Sequence, residues 1–282
     1  MRFSIITPSF RNSAWLKLCI ASVADQGVAL EHIVQDAGSD DGTLDWLPSD
    51  PRVRAFVEKD SGMYDAVNRG LRRAKGDILA YLNCDEQYLP GALKAVEAFF
   101  TAHPEVDVAF AHAVVVDEFG RYFCDRTSLT PQRWHTQVSA NLAFLTCATF
   151  FRRRIISDLG LFFDLQFRVC GDVDWALKLI DAGARMRVLP RRTSVFTETG
   201  GNLSLNPRAP AEQQLLRARA PWLVQRARAL VVAHFRLRRL LSGAYSPRPH
   251  SYSIYTRQSP DQRQTFTVEH PTYRWRRKPA GG

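Results

Sequence analysis

The first third of the chain consists of short apolar runs that stop abruptly at polar clusters. "RFSIIT" at 2–7, "HIVQ" at 32–35, "VRAFV" at 53–57 and the run 78–82 inside "GDILAYLNCDEQYLP" each read as a strand. Between them the pattern changes to a helical period. Asn12 or Ser13 caps a helix with Trp15, Leu16, Cys19, Ile20 and Val23 on one side. Met63, Val67 and Leu71 make the core stripe of a second helix over 63–74, where Ala66, Gly70 and Ala74 allow close packing. Pro90 suits the first turn of a third helix, which runs to about Ala102.

Further along, "VDVAFAHAVVV" continues with strands and "DEFGR" is a hairpin turn. "CATFFRRRII" reads as a strand entering a short helix. "DVDWALKLIDAG" is a helix with Asp172 at its start and Gly183 at its end. "RMRVLP" and "TSVFT" read as two strands. From 211 the pattern is helical again, interrupted at Pro221.

Alternation of strands and helices predicts an α/β fold, a mainly parallel, Rossmann-like sheet with helices on both faces and a C-terminal helical extension. Ligands of such sheets sit beyond the carboxyl ends of the strands. The polar clusters at 7–9, 36–43, 58–65 and 83–86 all follow strands, so they gather at one rim.

Composition refines this picture. The chain has 282 residues, 45% of them hydrophobic, enough for a large packed core. No apolar run approaches the roughly 18–20 residues of a membrane span. The N-terminal run is too short for a signal peptide, so a cytoplasmic chain is expected. Five cysteines at irregular spacing, with no C-x-x-C, fit reduced thiols.

Charge divides the chain unevenly. Residues 206–282 hold 15 Lys/Arg against 3 Asp/Glu, a net +12, whereas the rest is close to neutral. The expected organisation is a domain over 1–205, basic helices over 206–245, and a flexible basic tail over 246–282. An anionic membrane surface is the expected partner of the basic part, with nucleic acid the less favoured one. The arginines of 222–241 fall all round the helical wheel, so no clean amphipathic face is expected there.

The rim carries the candidate chemistry. Asp40, Asp41 and Asp45 read as helix-start carboxylates. Asp36 follows its strand directly and points into the rim. Asn83 and Asp85 are two apart, which in extended backbone puts both on one side, an oxygen pair suited to a hard divalent ion. Asp60 and Ser61 stand at an N-cap, while Asp65 and Asn68 share the polar face of the following helix. Asp172 and Asp174 are splayed by about 160° on a helix, so only Asp172 suits a cleft. There is no G-x-G-x-x-G and no G-K-[ST] loop, which removes dinucleotide and P-loop NTPase readings.

In order, "SIITPSFRN", "HIVQDAGSDDGT", "EKDSGMYDAVNRGLRRAKGDILAYLNCDE" and "FFRRRIISDLGLFFD…GDVDWALKL" resemble family 2 glycosyltransferases, WcaA/WcaE-like bacterial enzymes of surface polysaccharide synthesis, over about 1–205. The resemblance implies a GT-A fold and an inverting, metal-dependent hexosyl transfer from a nucleotide-diphosphate sugar to a hydroxyl acceptor, a saccharide or lipid-linked saccharide. It implies that Thr7, Pro8 and Ser9 line the base and ribose pocket and that Asp36, Asp60, Asp65 and Asn68 serve the nucleoside region. It places Asn83 and Asp85 as ligands of Mg²⁺ or Mn²⁺, and Asp172 as the base. A peripheral location at the inner membrane face goes with such an acceptor. Two departures stand out: Ala37 follows Asp36 where a second acid is common, and Glu86 stands where Asp is common. Alternatives are a sugar nucleotidyltransferase, though no glycine follows the first strand, and a non-catalytic binding protein of the same fold.

Overall fold

The computed structural model describes residues 1–202 and 206–275. Four strands open the fold: β1 (Phe3–Ser9), β2 (Leu30–Asp36), β3 (Arg54–Val57) and β4 (Ile78–Tyr81). Helices α1 (Ser13–Ala24) and α2 (Met63–Arg73) lie between them in the chain. Then follow β5 (Gln87–Tyr88), α3 (Ala92–Ala102), β6 (Val108–Asp117), β7 (Tyr122–Arg126) and α4 (Arg133–Ser139). Next come β8 (Thr149–Arg152), α5 (Arg154–Ser157), α6 (Gly171–Asp181) and β9 (Met186–Glu198). The described chain continues with α7 (Ala209–Ala218), α8 (Trp222–Arg226), α9 (Arg228–Leu241), β10 (His250–Thr256) and β11 (Ser259–Val268).

The main sheet runs β3-β2-β1-β4-β8-β6-β9-β5, with β7 beside β6. The first four strands are parallel. β8 is antiparallel to both β4 and β6, and β6 and β9 are parallel again, so the second half is mixed.

β1 is buried along its whole length because both faces of the sheet are covered. Side chains alternate across it. Phe3 and Ile5 join Cys19, Val23, Val96 and Phe100 on the α1–α3 side. Ile6 joins Tyr64, Val67, Leu71 and Trp175 on the α2–α6 side. The small residues read from the sequence make this contact possible: a Cβ on Gly70 would lie 2.4 Å from Ile6 Cγ2.

Two expectations change. The strands expected at "RMRVLP" and "TSVFT" are one strand, β9. Its register on β6 steps from Leu189 opposite Ala111 to Arg192 opposite His112, so Pro190 and Arg191 are bulged out. A proline that cannot donate to the ladder is accommodated by the bulge rather than ending the strand. The second change is in 246–282, expected to be irregular and flexible. There, β10 and β11 form an antiparallel hairpin whose Tyr252, Ile254 and Val268 pack on Leu89, Val114, Val116 and Val195. Arg263 of β11 clasps Asp25 just after α1 with bonds of 2.6 and 2.8 Å. The end of that expected tail, 276–282, lies outside the described residues, as do 203–205 in the "ETGGNLS" segment.

All five cysteines are buried and free. Among the described residues no helix is long and apolar enough to cross a membrane.

Candidate active site

At the carboxyl ends of β1 and β4 the fold opens a cleft of about 710 Å³. Six of the residues expected at the site line it: Pro8, Ser9, Asp60, Asn83, Asp85 and Asp172. They come from four separate stretches, so the cleft exists only through the packing of α2 and α6 on the sheet.

The turn after β4 carries Asn83, Asp85 and Glu86. Glu86 is fully enclosed; its Oε2 accepts the Asn83 N–H at 2.8 Å. Glu86 Oε1 and Asn83 Oδ1 are buried without a hydrogen-bond partner. Burial pushes the Asp85 carboxyl up to about 6. Burial, together with the neighbouring Asp85, pushes Glu86 up to about 8. Orphaned oxygens and acids that hold protons too tightly are what a missing cation leaves behind. Among the described residues no cluster of three or more His, Cys, Asp or Glu forms a complete ion cage. Asp85, Asn83 and Glu86 therefore fit a hard ion that takes further oxygens from a ligand.

Asp172 starts α6 and stands apart from that turn in the chain. Its Oδ1 accepts the Val173 N–H at 2.8 Å, and its own N–H is donated to the Tyr64 hydroxyl at 3.2 Å. Gly171 permits this contact, since a Cβ there would sit 2.7 Å from the Tyr64 ring. Burial pushes the Asp172 carboxyl up to about 6. Glu212 of α7 reaches the same loop, where its carboxylate accepts the N–H groups of Arg168, Val169 and Cys170 at 2.8 to 2.9 Å. The helical extension thus fixes the backbone that presents Asp172.

Asp60 accepts the Gly62 N–H at 2.8 Å, and burial raises its pKa. The arginines nearest in sequence are spent elsewhere: Arg69 pairs with Asp65, and Arg73 with Glu58. The lining is therefore acidic, with Lys59 as a cation at its edge.

Four expected residues do not line the cleft. Thr7 is buried beneath the rim, its hydroxyl 2.8 Å from His32 Nε2. Asp36 is spent on its own loop, accepting the N–H groups of Gly38 and Ser39 at 2.9 and 2.7 Å and the Ser39 hydroxyl at 2.8 Å. Asp65 accepts from the Ser61 backbone and hydroxyl and from Arg69. Asn68 exchanges two hydrogen bonds with the Phe163 backbone. Each ties one wall of the cleft to another.

Sequence reasoning passed over Phe10, Lys59, Tyr64, Tyr81, Thr146, Phe196 and Asn202, all in the lining. Lys59 and Tyr64 lie inside "EKDSGMYDAVN", where only the acids and amides were weighed. Thr146, Phe196 and Asn202 come from the second half, where no local pattern marks them.

The family model described as Glycosyl transferase family 2 matches residues 4–160. A PGL/p-HBAD biosynthesis glycosyltransferase of Mycobacterium bovis is 28% identical over 211 residues, 71% of this chain and 78% of that protein. Staphylococcus aureus TarS, solved in complex with UDP-GlcNAc, superposes with a TM-score of 0.62 at 20% identity, over 77% of this chain and 64% of that one. The mannosyltransferase PcManGT of Pyrobaculum calidifontis, solved with GDP-Man and Mn²⁺, gives 0.51 at 21% identity, over 77% of this chain and 60% of that one. The chain thus spans less than two thirds of either solved protein, and the likeness establishes a shared fold.

Proposed function

The chain belongs to glycosyltransferase family 2 and has a GT-A fold, and on that premise we propose that it moves a sugar, with inversion, from a nucleotide-diphosphate donor to a hydroxyl acceptor. The observation that carries the reading is an acidic cleft with two separate jobs in it. Asp85 with Asn83 and Glu86 forms an oxygen-rich turn with orphaned acceptors, and Asp172 sits alone on another element.

A donor diphosphate is itself anionic and is repelled by such a lining. A Mg²⁺ or Mn²⁺ ion held by Asp85 and Asn83, with Glu86 behind them, would offset that repulsion and the charge that develops on the leaving diphosphate. Neighbours of this fold solved with UDP-GlcNAc and with GDP-Man and Mn²⁺ support the choice.

Asp172 is the base. The acceptor oxygen forms its bond to the anomeric carbon as the bond to the diphosphate oxygen breaks. The electron pair leaves with the diphosphate, and the hydroxyl proton passes to the Asp172 carboxylate. A pKa of about 6 leaves this group ionised at neutral pH yet more basic than an ordinary aspartate. Pro8 and Ser9 line the nucleoside end with Asp60, while Thr7, Asp36, Asp65 and Asn68 hold its walls.

The acceptor in this reading is a saccharide or lipid-linked saccharide of cell-surface polysaccharide or glycolipid synthesis, taken at the cytoplasmic face of a membrane. A relative named for PGL/p-HBAD biosynthesis supports the glycolipid branch. We assign residues 1–205 to the catalytic unit, 206–245 to a basic helical addition facing an anionic surface, and 246–282 to a C-terminal piece of which the hairpin is part. The test is a thermal-shift and hydrolysis screen of UDP-, GDP- and dTDP-sugars with and without Mn²⁺. Stabilisation and slow hydrolysis by one donor class, only with the ion, is expected. No response to any donor overturns the reading.

A further inference from the structure

The helical extension turns its apolar side outward. On α9, no residue is buried. Leu230, Leu237, Leu240 and Leu241 fall on one side at the helical period, and Leu230 and Leu241 are 73% and 78% exposed. Trp222 and Leu223 on α8 are 61% and 62% exposed. Leucine and tryptophan left in water over two consecutive helices are costly unless something covers them.

The arginines explain why the sequence alone concealed this face. Arg238 and Arg239 fill the opposite side of the wheel and turn to the protein. Arg238 donates to Thr130, and Arg239 lies over the Tyr245 ring. Phe235 stacks on His135 of α4 at 3.5 Å on that same protein-facing side. Arg226, Arg228 and Arg236 are left exposed around the leucine stripe. Between Gln213 and Pro260 the chain holds nine arginines and no Lys, Asp or Glu.

We infer that α8 and α9 form an interfacial wedge that inserts into an anionic phospholipid bilayer. Trp222, Leu223, Leu230, Leu237 and Leu241 enter the headgroup–acyl boundary, and Arg226, Arg228 and Arg236 pair with lipid phosphates. Charge selects this occupant over a second copy of the chain. Two copies face to face would bring arginine against arginine, with no carboxylate on either segment to pair with it. A bilayer supplies hydrocarbon for the leucines and anions for the guanidiniums at the depth each needs. This goes beyond attraction of a basic tail: the hold is by apolar insertion at named residues, and it stands whether or not the donor chemistry is right.

The experiment is flotation of the full chain with phosphatidylcholine vesicles, with and without phosphatidylglycerol. The expected result is flotation with the anionic vesicles, weakened but not abolished by high salt. Leu230→Ser/Leu237→Ser/Leu241→Ser is expected to lower partitioning at least tenfold at both salt levels, and Arg226→Ala/Arg228→Ala/Arg236→Ala to lower it chiefly at low salt. Because all six side chains are exposed, circular dichroism should show each variant folded. Quenching of emission by brominated lipid, lost in Trp222→Phe, reports insertion directly. No flotation of the wild-type chain, complete release by salt, or a leucine variant that floats normally overturns the inference. So does sedimentation showing a dimer that the leucine changes split and vesicles do not bind.

Discussion

The hydroxyl of Tyr64 accepts the Asp172 backbone N–H at 3.2 Å and donates to the Val169 carbonyl at 3.0 Å, so one side chain of α2 pins the loop that begins α6. Tyr64→Phe keeps the ring stacked on Phe163 but removes both bonds. The expected cost is about 1 kcal/mol of stability and roughly a tenfold drop in kcat, as Asp172 loses its tether. Donor KM should stay unchanged. Denaturant melts and steady-state kinetics check this; an unaltered kcat would mean that the tether does not matter to turnover.

Asp172→Asn removes the base while leaving the helix-start hydrogen bond available. Turnover should fall by roughly 10²- to 10⁴-fold, with donor-induced thermal stabilisation intact. In the wild-type chain the Asp172 carboxyl must be ionised, and its pKa is raised to about 6. Activity should therefore climb as pH rises through about 6 and then level off. A profile that falls over that window would assign the proton transfer to another group.

Glu86 gives a pH-dependent stability of definite sign. Its pKa is raised from 4.5 to about 8, so between those values the folded chain binds the proton more tightly than the unfolded chain does. Folding then loses stability as pH rises through this window. Glu86→Gln should match the wild type below pH 4.5 and exceed it above pH 8, by roughly 1–3 kcal/mol without added cation. Thermal melts across this range in EDTA decide it, and parallel curves for the two proteins would refute the shift.

Added Mn²⁺ with the donor's nucleoside diphosphate should raise the melting point more at neutral pH than at pH 5, because Asp85 is increasingly protonated below about 6. Asp85→Ala should abolish the Mn²⁺ dependence and leave a small, ion-independent shift. An unchanged Mn²⁺ response in that variant would move the ion elsewhere.

Tyr252 of β10 is buried against Val114 and Val116, stacks on Phe266, and donates its hydroxyl to the Gly120 carbonyl at 2.8 Å. Tyr252→Ala should cost about 3–5 kcal/mol, read as a lowered urea midpoint. A change within a few tenths of a kcal/mol would show that the hairpin is dispensable to the core.

The front half of the fold was legible because its signals are local. Strands buried on both faces leave uninterrupted apolar runs, and Gly70 and Asp172 mark a close contact and a helix start within a few residues. The rest depends on partners distant in sequence. "SYSIYT" alternates in the strand manner, yet its Ser, Tyr and Thr hid the hairpin until Leu89 and Val195 supplied the other side. Asp36 and Asn68 carry the right chemistry, but only the fold reveals that Ser39 and Phe163 already occupy them. The outward leucines of α9 were masked by Arg238 and Arg239, whose direction no wheel can tell.

The clasp between Arg263 and Asp25 has a consequence for biosynthesis. A nascent chain that has emerged only as far as Glu198 has every strand of the main sheet but not the hairpin that covers Leu89, Val114 and Val195. That bare patch faces the cytosol or a chaperone until residue 268 clears the ribosome, so the last strand to be translated seals the first helix.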